Sequence, residues 1–94
     1  MILVLVSYHC KEGKRETFLE SIKSEGIHAF VLAEAGNICY DYFYSDKEKD
    51  TLLLVEKWTD KESVDAHSST EKFARLQELK ALYVDNTQIE RFEV

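Results

Sequence analysis

Ile2-Leu3-Val4-Leu5-Val6-Ser7-Tyr8-His9 and Thr51-Leu52-Leu53-Leu54-Val55-Glu56-Lys57-Trp58 are the two stretches that decide how this chain folds. A strand with one wet face alternates apolar and polar residues, whereas a strand covered on both faces reads as a continuous apolar run. Both stretches are of the second kind. Between them, Ile38-Cys39-Tyr40-Asp41-Tyr42-Phe43-Tyr44 alternates, with Ile38, Tyr40, Tyr42 and Tyr44 on one face. The polar run Ser45–Asp50 then makes a hairpin loop to the second apolar stretch.

Helical periodicity fills the intervals. From Lys14 to about Glu25 the residues Phe18, Leu19 and Ile22 share a face, and Gly26 is a stop signal. A short helical piece over Ile27–Ala33 follows, and Glu34-Ala35-Gly36-Asn37 turns the chain into the alternating strand. After Trp58, Asp60 with Ser63 three residues on is an N-cap for a short helix. Ser69 or Thr70 caps a longer helix with a core stripe of Phe73, Leu76, Leu79 and Leu82 or Tyr83, and Thr87–Val94 reads as a last strand. The order β-α-β-β-α-β is the ferredoxin-like arrangement of an α+β protein with an antiparallel sheet. Helices can cover one face of such a sheet. The doubly apolar strands demand a second cover, and the simplest is the sheet of an identical chain related by a two-fold axis. The expected assembly is a homodimer, a dimeric α+β barrel.

The 94 residues fit a single domain spanning 1–94. A net charge of −6, from 18 acidic and 12 basic residues without a block of either sign, argues against nucleic acid as a partner. No apolar stretch approaches the roughly 20 residues that cross a bilayer, so no membrane partner is expected. Cys10 and Cys39 are far apart, and Met1–Val6 lacks the length and basic flank of a secretory leader. The expected setting is cytoplasmic, with two reduced thiols.

Few residues combine into chemistry. Glu56 and Trp58 are two apart at a strand end and point to one face, and His67 follows at the end of the short helix. Glu56, Trp58, His67 and Phe73, with the strand tyrosines, could line one cavity between sheet and helices. A carboxylate and an imidazole beside aromatic walls suit proton abstraction from an acidic hydroxyl or carbon. The plainer alternative makes Trp58 a core residue, Glu56 half of a surface ion pair and His67 a helix cap. The tyrosine ladder Tyr40, Tyr42, Tyr44 stabilises a sheet in its own right, and Tyr8 on the first strand is a similar case. No metal-ligand spacing and no phosphate-cradling glycine loop occurs, so neither a metal nor a nucleotide cofactor is expected.

These residues stand in a familiar order. Gly13-Lys14 followed by Phe18 resembles the "Gly-Lys-x-x-x-Phe" opening of the antibiotic biosynthesis monooxygenase family. Glu34-Ala35-Gly36 leading to Tyr40 resembles its "Glu-Pro-Gly-x-x-x-Tyr" turn, and Glu56-Lys57-Trp58-Thr59-Asp60, Ala66-His67 and Phe73 resemble its "Glu-x-Trp-x-Asp … Ala-His … Ser-x-His-Phe" stretch. The resemblance runs nearly end to end. It implies a dimeric α+β barrel and, in some members, cofactor-independent oxygenation of phenols or quinols by dioxygen. Trp58 and His67 carry over as pocket residues, with Glu56 and Tyr40 behind them. The chain departs from the pattern at Ala35 in place of proline and at Lys72 in place of a second histidine. A haem-degrading branch of similar sequence would need Asn and His where Ser7 and Gln77 stand. Two other readings remain: an isomerase or proton-transfer enzyme on a small dione using His67 and Glu56, and a non-catalytic ligand-binding or dimerisation module. The same fold serves many chemistries.

Overall fold

The computed structural model describes residues 1–94. Its elements are β1 (Ile2–Cys10), α1 (Arg15–Ser24), α2 (Ile27–Leu32), β2 (Asn37–Tyr44), β3 (Thr51–Trp58), α3 (Lys61–His67), α4 (Glu71–Tyr83) and β4 (Val84–Glu93). The strands form one antiparallel sheet in the order β2-β3-β1-β4, the α+β ferredoxin-like fold expected from the pattern. The two doubly apolar strands are the central pair. No helix is long and apolar enough to cross a membrane.

The register places side chains in rows across the helix-covered face. One row runs Tyr40–Glu56–Val4–Arg91, and the next runs Tyr42–Leu54–Val6–Ile89. The even-numbered residues of β1 and β3 from Ile2 to Trp58 are buried under the helices, where Phe18, Ile22, Ile27, Val31, Leu76 and Leu79 meet them. Burial of this kind stabilises by about 25 cal/mol per Å² of apolar surface. It adds to the intrinsic helicity of α4, whose Ala, Leu, Glu, Lys, Gln and Arg residues are strong helix formers.

On the opposite face, Leu3, Leu5, Leu53 and Val55 occupy the centre, with Phe43 and Phe92 at the edges exposed by 51% and 42%. No element of the chain covers them.

The start of β4 differs from the sequence pattern, and the structure chooses between two residues for the α4 stripe. β4 begins at Val84, not Thr87, because β1 supplies hydrogen-bonding partners that override the turn-like Asp85-Asn86; Val84 pairs with Cys10 after a register shift at His9/Cys10. In α4, Tyr83 joins the core and packs 6.4 Å from Phe18, while Leu82 faces out.

Candidate active site

A cavity of about 220 Å³ opens between the sheet and α4. Val4 and Val6, small residues in the middle of two rows, leave the space that larger side chains would fill. Tyr8, Tyr40, Phe73, Leu76 and Ile89 add apolar wall, and Glu56, His67, Gln77, Lys80 and Arg91 supply its polar groups.

His67 is held by three separate devices. The Asp60 carboxylate accepts from the Ser63 backbone N–H at 2.8 Å and so starts α3. At the other end, the Thr70 hydroxyl accepts from the Phe73 N–H at 3.1 Å and donates to the His67 carbonyl at 3.0 Å, fixing His67 and Phe73 together. Their rings meet edge to face, with centroids 5.2 Å apart. Finally, Nδ1 of His67 bonds the Glu34 carboxylate at 2.8 Å, both side chains being largely enclosed. The carboxylate accepts from Nδ1, the arrangement that in a neutral ring puts the lone pair on Nε2, and Nε2 has no protein partner.

Glu34 is the residue that sequence reasoning missed. Its signal lay two positions away. Gly36 has φ of +84°, and a Cβ there would overlap the Ser63 side chain. Only glycine lets this turn lie against α3, where the Gly36 carbonyl accepts from the Thr59 N–H at 2.8 Å. That close approach brings Glu34 to His67.

Glu56 is 8% exposed, and one of its oxygens accepts from the Trp58 indole N–H at 3.0 Å. Burial raises its pKa above the ordinary carboxylate value, while the Trp58 hydrogen bond and the His67 and Arg91 charges pull the other way. Burial likewise holds the Tyr8 and Tyr40 hydroxyls well above their usual pKa. Both therefore remain neutral donors at physiological pH, not bases.

Of the expected pocket residues, Tyr8, Tyr40, Glu56, His67 and Phe73 line the cavity, and Trp58 and Tyr42 do not. Trp58 is fully buried one row beyond Val4, opposite Ile2, so its indole supports from behind. It holds Glu56 and lies against the His67 ring, 4.8 Å between centroids. Tyr42 lies on the edge strand, packed against His28 and Tyr40 at 5.1 and 5.8 Å, and its hydroxyl is buried without a partner. Lys72, in place of the second histidine, donates to the Glu25 carbonyl at 2.9 Å and ties α4 to the end of α1. No three His, Cys, Asp or Glu side chains converge as a metal-binding group would require.

The sequence profile of the antibiotic biosynthesis monooxygenase family matches residues 1–79. The chain is 36% identical over 73 residues to "Putative monooxygenase YcnE" of Bacillus subtilis (strain 168), an alignment covering 78% of this chain and 75% of that one. A crystal structure from Bacteroides thetaiotaomicron, described as a conserved protein of unknown function and possible oxidoreductase, superposes with a TM-score of 0.86 at 30% identity, covering 99% of this chain and 96% of that one. The "Putative antibiotic biosynthesis monooxygenase" of Nitrosomonas europaea shares the fold at a TM-score of 0.88 and 20% identity, over 100% of this chain and 98% of that one. With the Glu56–Phe73 motif in its expected order and the profile matched over most of its length, this chain belongs to the antibiotic biosynthesis monooxygenase family.

Proposed function

We propose that the protein is a monooxygenase that acts without a bound cofactor on a small phenol or hydroquinone, and that it works as a homodimer. The observation that carries the chemistry is His67, set in the wall of an apolar cavity with Nδ1 bound to Glu34 and Nε2 unpartnered. Family membership supports oxygenation as the reaction class.

The chain's own residues suffice for the steps such a reaction requires. Nε2 of His67 takes the proton of a ring hydroxyl, and Glu34 stabilises the imidazolium that results. The apolar walls strip water from the phenolate, which makes it a better electron donor. One electron passes to dioxygen, and the phenoxyl and superoxide radicals combine at a ring carbon to give a peroxide. Loss of the carbon-bound proton and cleavage of the O–O bond then release water and leave a quinone. The balance is phenol plus O2 to quinone plus H2O, with no external reductant. Glu56, whose pKa burial raises, lines the same cavity and returns a proton to the departing oxygen.

The homodimer rests on the uncovered face. Leu3, Leu5, Leu53 and Val55 form an apolar centre, and Asp41, Lys57, Gln88 and Glu90 share that face toward its rim. This distribution is typical of a protein interface. An identical sheet would cover it, as the two apolar strands demand.

Oxygen uptake across a panel of phenols and hydroquinones, with the quinone followed by absorbance, tests the reaction. Stoichiometric quinone formation that depends on His67 is expected. Absence of uptake by every member of the panel overturns the oxygenase reading.

A further inference from the structure

The cavity is electrically polarised along the row Tyr40–Glu56–Val4–Arg91. The carboxylate lies toward β3 and α3. Arg91 lies two strands away, about 10 Å at ordinary strand spacing, and Lys80 of α4 lines the same cavity. We infer that Lys80 and Arg91 form an anion-binding end of the cavity, so that the substrate is an aromatic hydroxy compound carrying a carboxylate. This inference names the substrate class for the site described above and rests on that reading.

Three observations support it. Lys80 and Arg91 are the two Lys or Arg side chains that line the cavity, and neither has a carboxylate partner there. Lys80 donates one side-chain hydrogen bond, to the Gln77 amide oxygen at 3.3 Å, and the Arg91 side chain donates none. Asp60, Glu62 and Glu93 border the groove outside Arg91 without pairing with it. Secondly, Lys80 is half-buried, with its ammonium 5.6 Å from the centre of the Tyr8 ring, and desolvation lowers its pKa. A bound anion reverses that penalty. Thirdly, the arrangement orients a ligand. Lys80 and Arg91 draw the anion to their end of the cavity, so the carboxylate goes there and the ring hydroxyl goes to His67.

The test uses 2,5-dihydroxybenzoate, its methyl ester and hydroquinone as probes, titrated calorimetrically under nitrogen into the full chain. The acid is expected to bind at least about tenfold more tightly than the ester, as charge-assisted hydrogen bonds allow, with the ratio shrinking as salt is raised. Lys80→Gln and Arg91→Gln each reduce the ratio, the double variant brings it toward one, and Arg91→Lys retains part of it. Arg91 is exposed and Lys80 only partly buried, and thermal melts verify that the variants remain folded. Equal binding of acid and ester by the wild type, no binding of the acid, or a preference that survives in the double variant overturns the inference. Oxygen uptake is read separately. Preference without uptake removes the oxygenase and leaves the anion site; uptake without preference does the reverse.

Discussion

The two faces of the sheet begin from similar material and reach different ends. Along β1 and β3 both faces carry mostly apolar side chains at their centres. One face is closed by helices except over Val4 and Val6, where the covering leaves a cavity with His67, Glu56 and Arg91 in its wall. The other is bare, with Asp41, Gln88 and Glu90 on its edge strands and Ser7 among the apolar residues of its centre. Apolar pattern alone states that a face is covered, not what covers it. Polar residues make the distinction: where they are buried and individually supported they mark a site, and where they ring an apolar centre they mark an interface.

If the covered face is the reactive one, His67→Ala has the largest effect, a loss of about 10²–10⁴ in turnover with the fold intact. Equal oxygen uptake by variant and wild type would remove His67 from the mechanism. The bare face is challenged next. Leu53→Arg sets an unpaired charge in a closed apolar contact and should weaken association at least about hundredfold. Sedimentation at micromolar concentration then gives one chain mass for the variant and two for the wild type. A wild type that sediments as a stable monomer breaks the contrast between the faces.

Glu34→Gln is expected to cost about ten- to hundredfold in turnover, the range for losing one charge-assisted hydrogen bond in the transition state. Because Glu34 acts through His67 as a positioning residue, the pH–rate profile should shift along with kcat; a change confined to thermal stability would make Glu34 merely structural. The smallest effect is expected from Glu56→Gln, read as the slope of stability against pH. Burial raises the folded-state pKa of Glu56, so above the unfolded value of about 4.5 the folded chain holds more proton than the unfolded chain. Stability contributed by the neutral carboxyl is present below that pH and is lost as pH rises through the folded pKa. Glu56→Gln should flatten this decline, and parallel profiles for the two proteins would show that Glu56 ionises normally.

Much of this was legible beforehand. Strand and helix order followed from period-two and period-3.6 patterns, and Tyr40, Glu56, His67 and Phe73 were candidates through spacing and family resemblance. Trp58 shows the limit of that reasoning. It shares a face with Glu56, as alternation requires, but one row of register separates it from the cavity, and only strand pairing reveals the row. Glu34 shows the same limit from the other side. It lies 33 residues from its partner His67, in a turn that the family motif marks without naming a partner for its glutamate.

The sequence by itself determined the fold class, the central place of β1 and β3, and the helix cap at Asp60, and it narrowed the next cap to Ser69 or Thr70. These follow from periodicity and local hydrogen bonding, which neighbouring residues dictate. Only the tertiary structure decided that His67 is tied to Glu34, that Trp58 stands behind the cavity, and that Lys80 and Arg91 face it unpaired. Such pairings depend on register and helix docking. Both are set by the cooperative burial of the whole core, which no local stretch specifies.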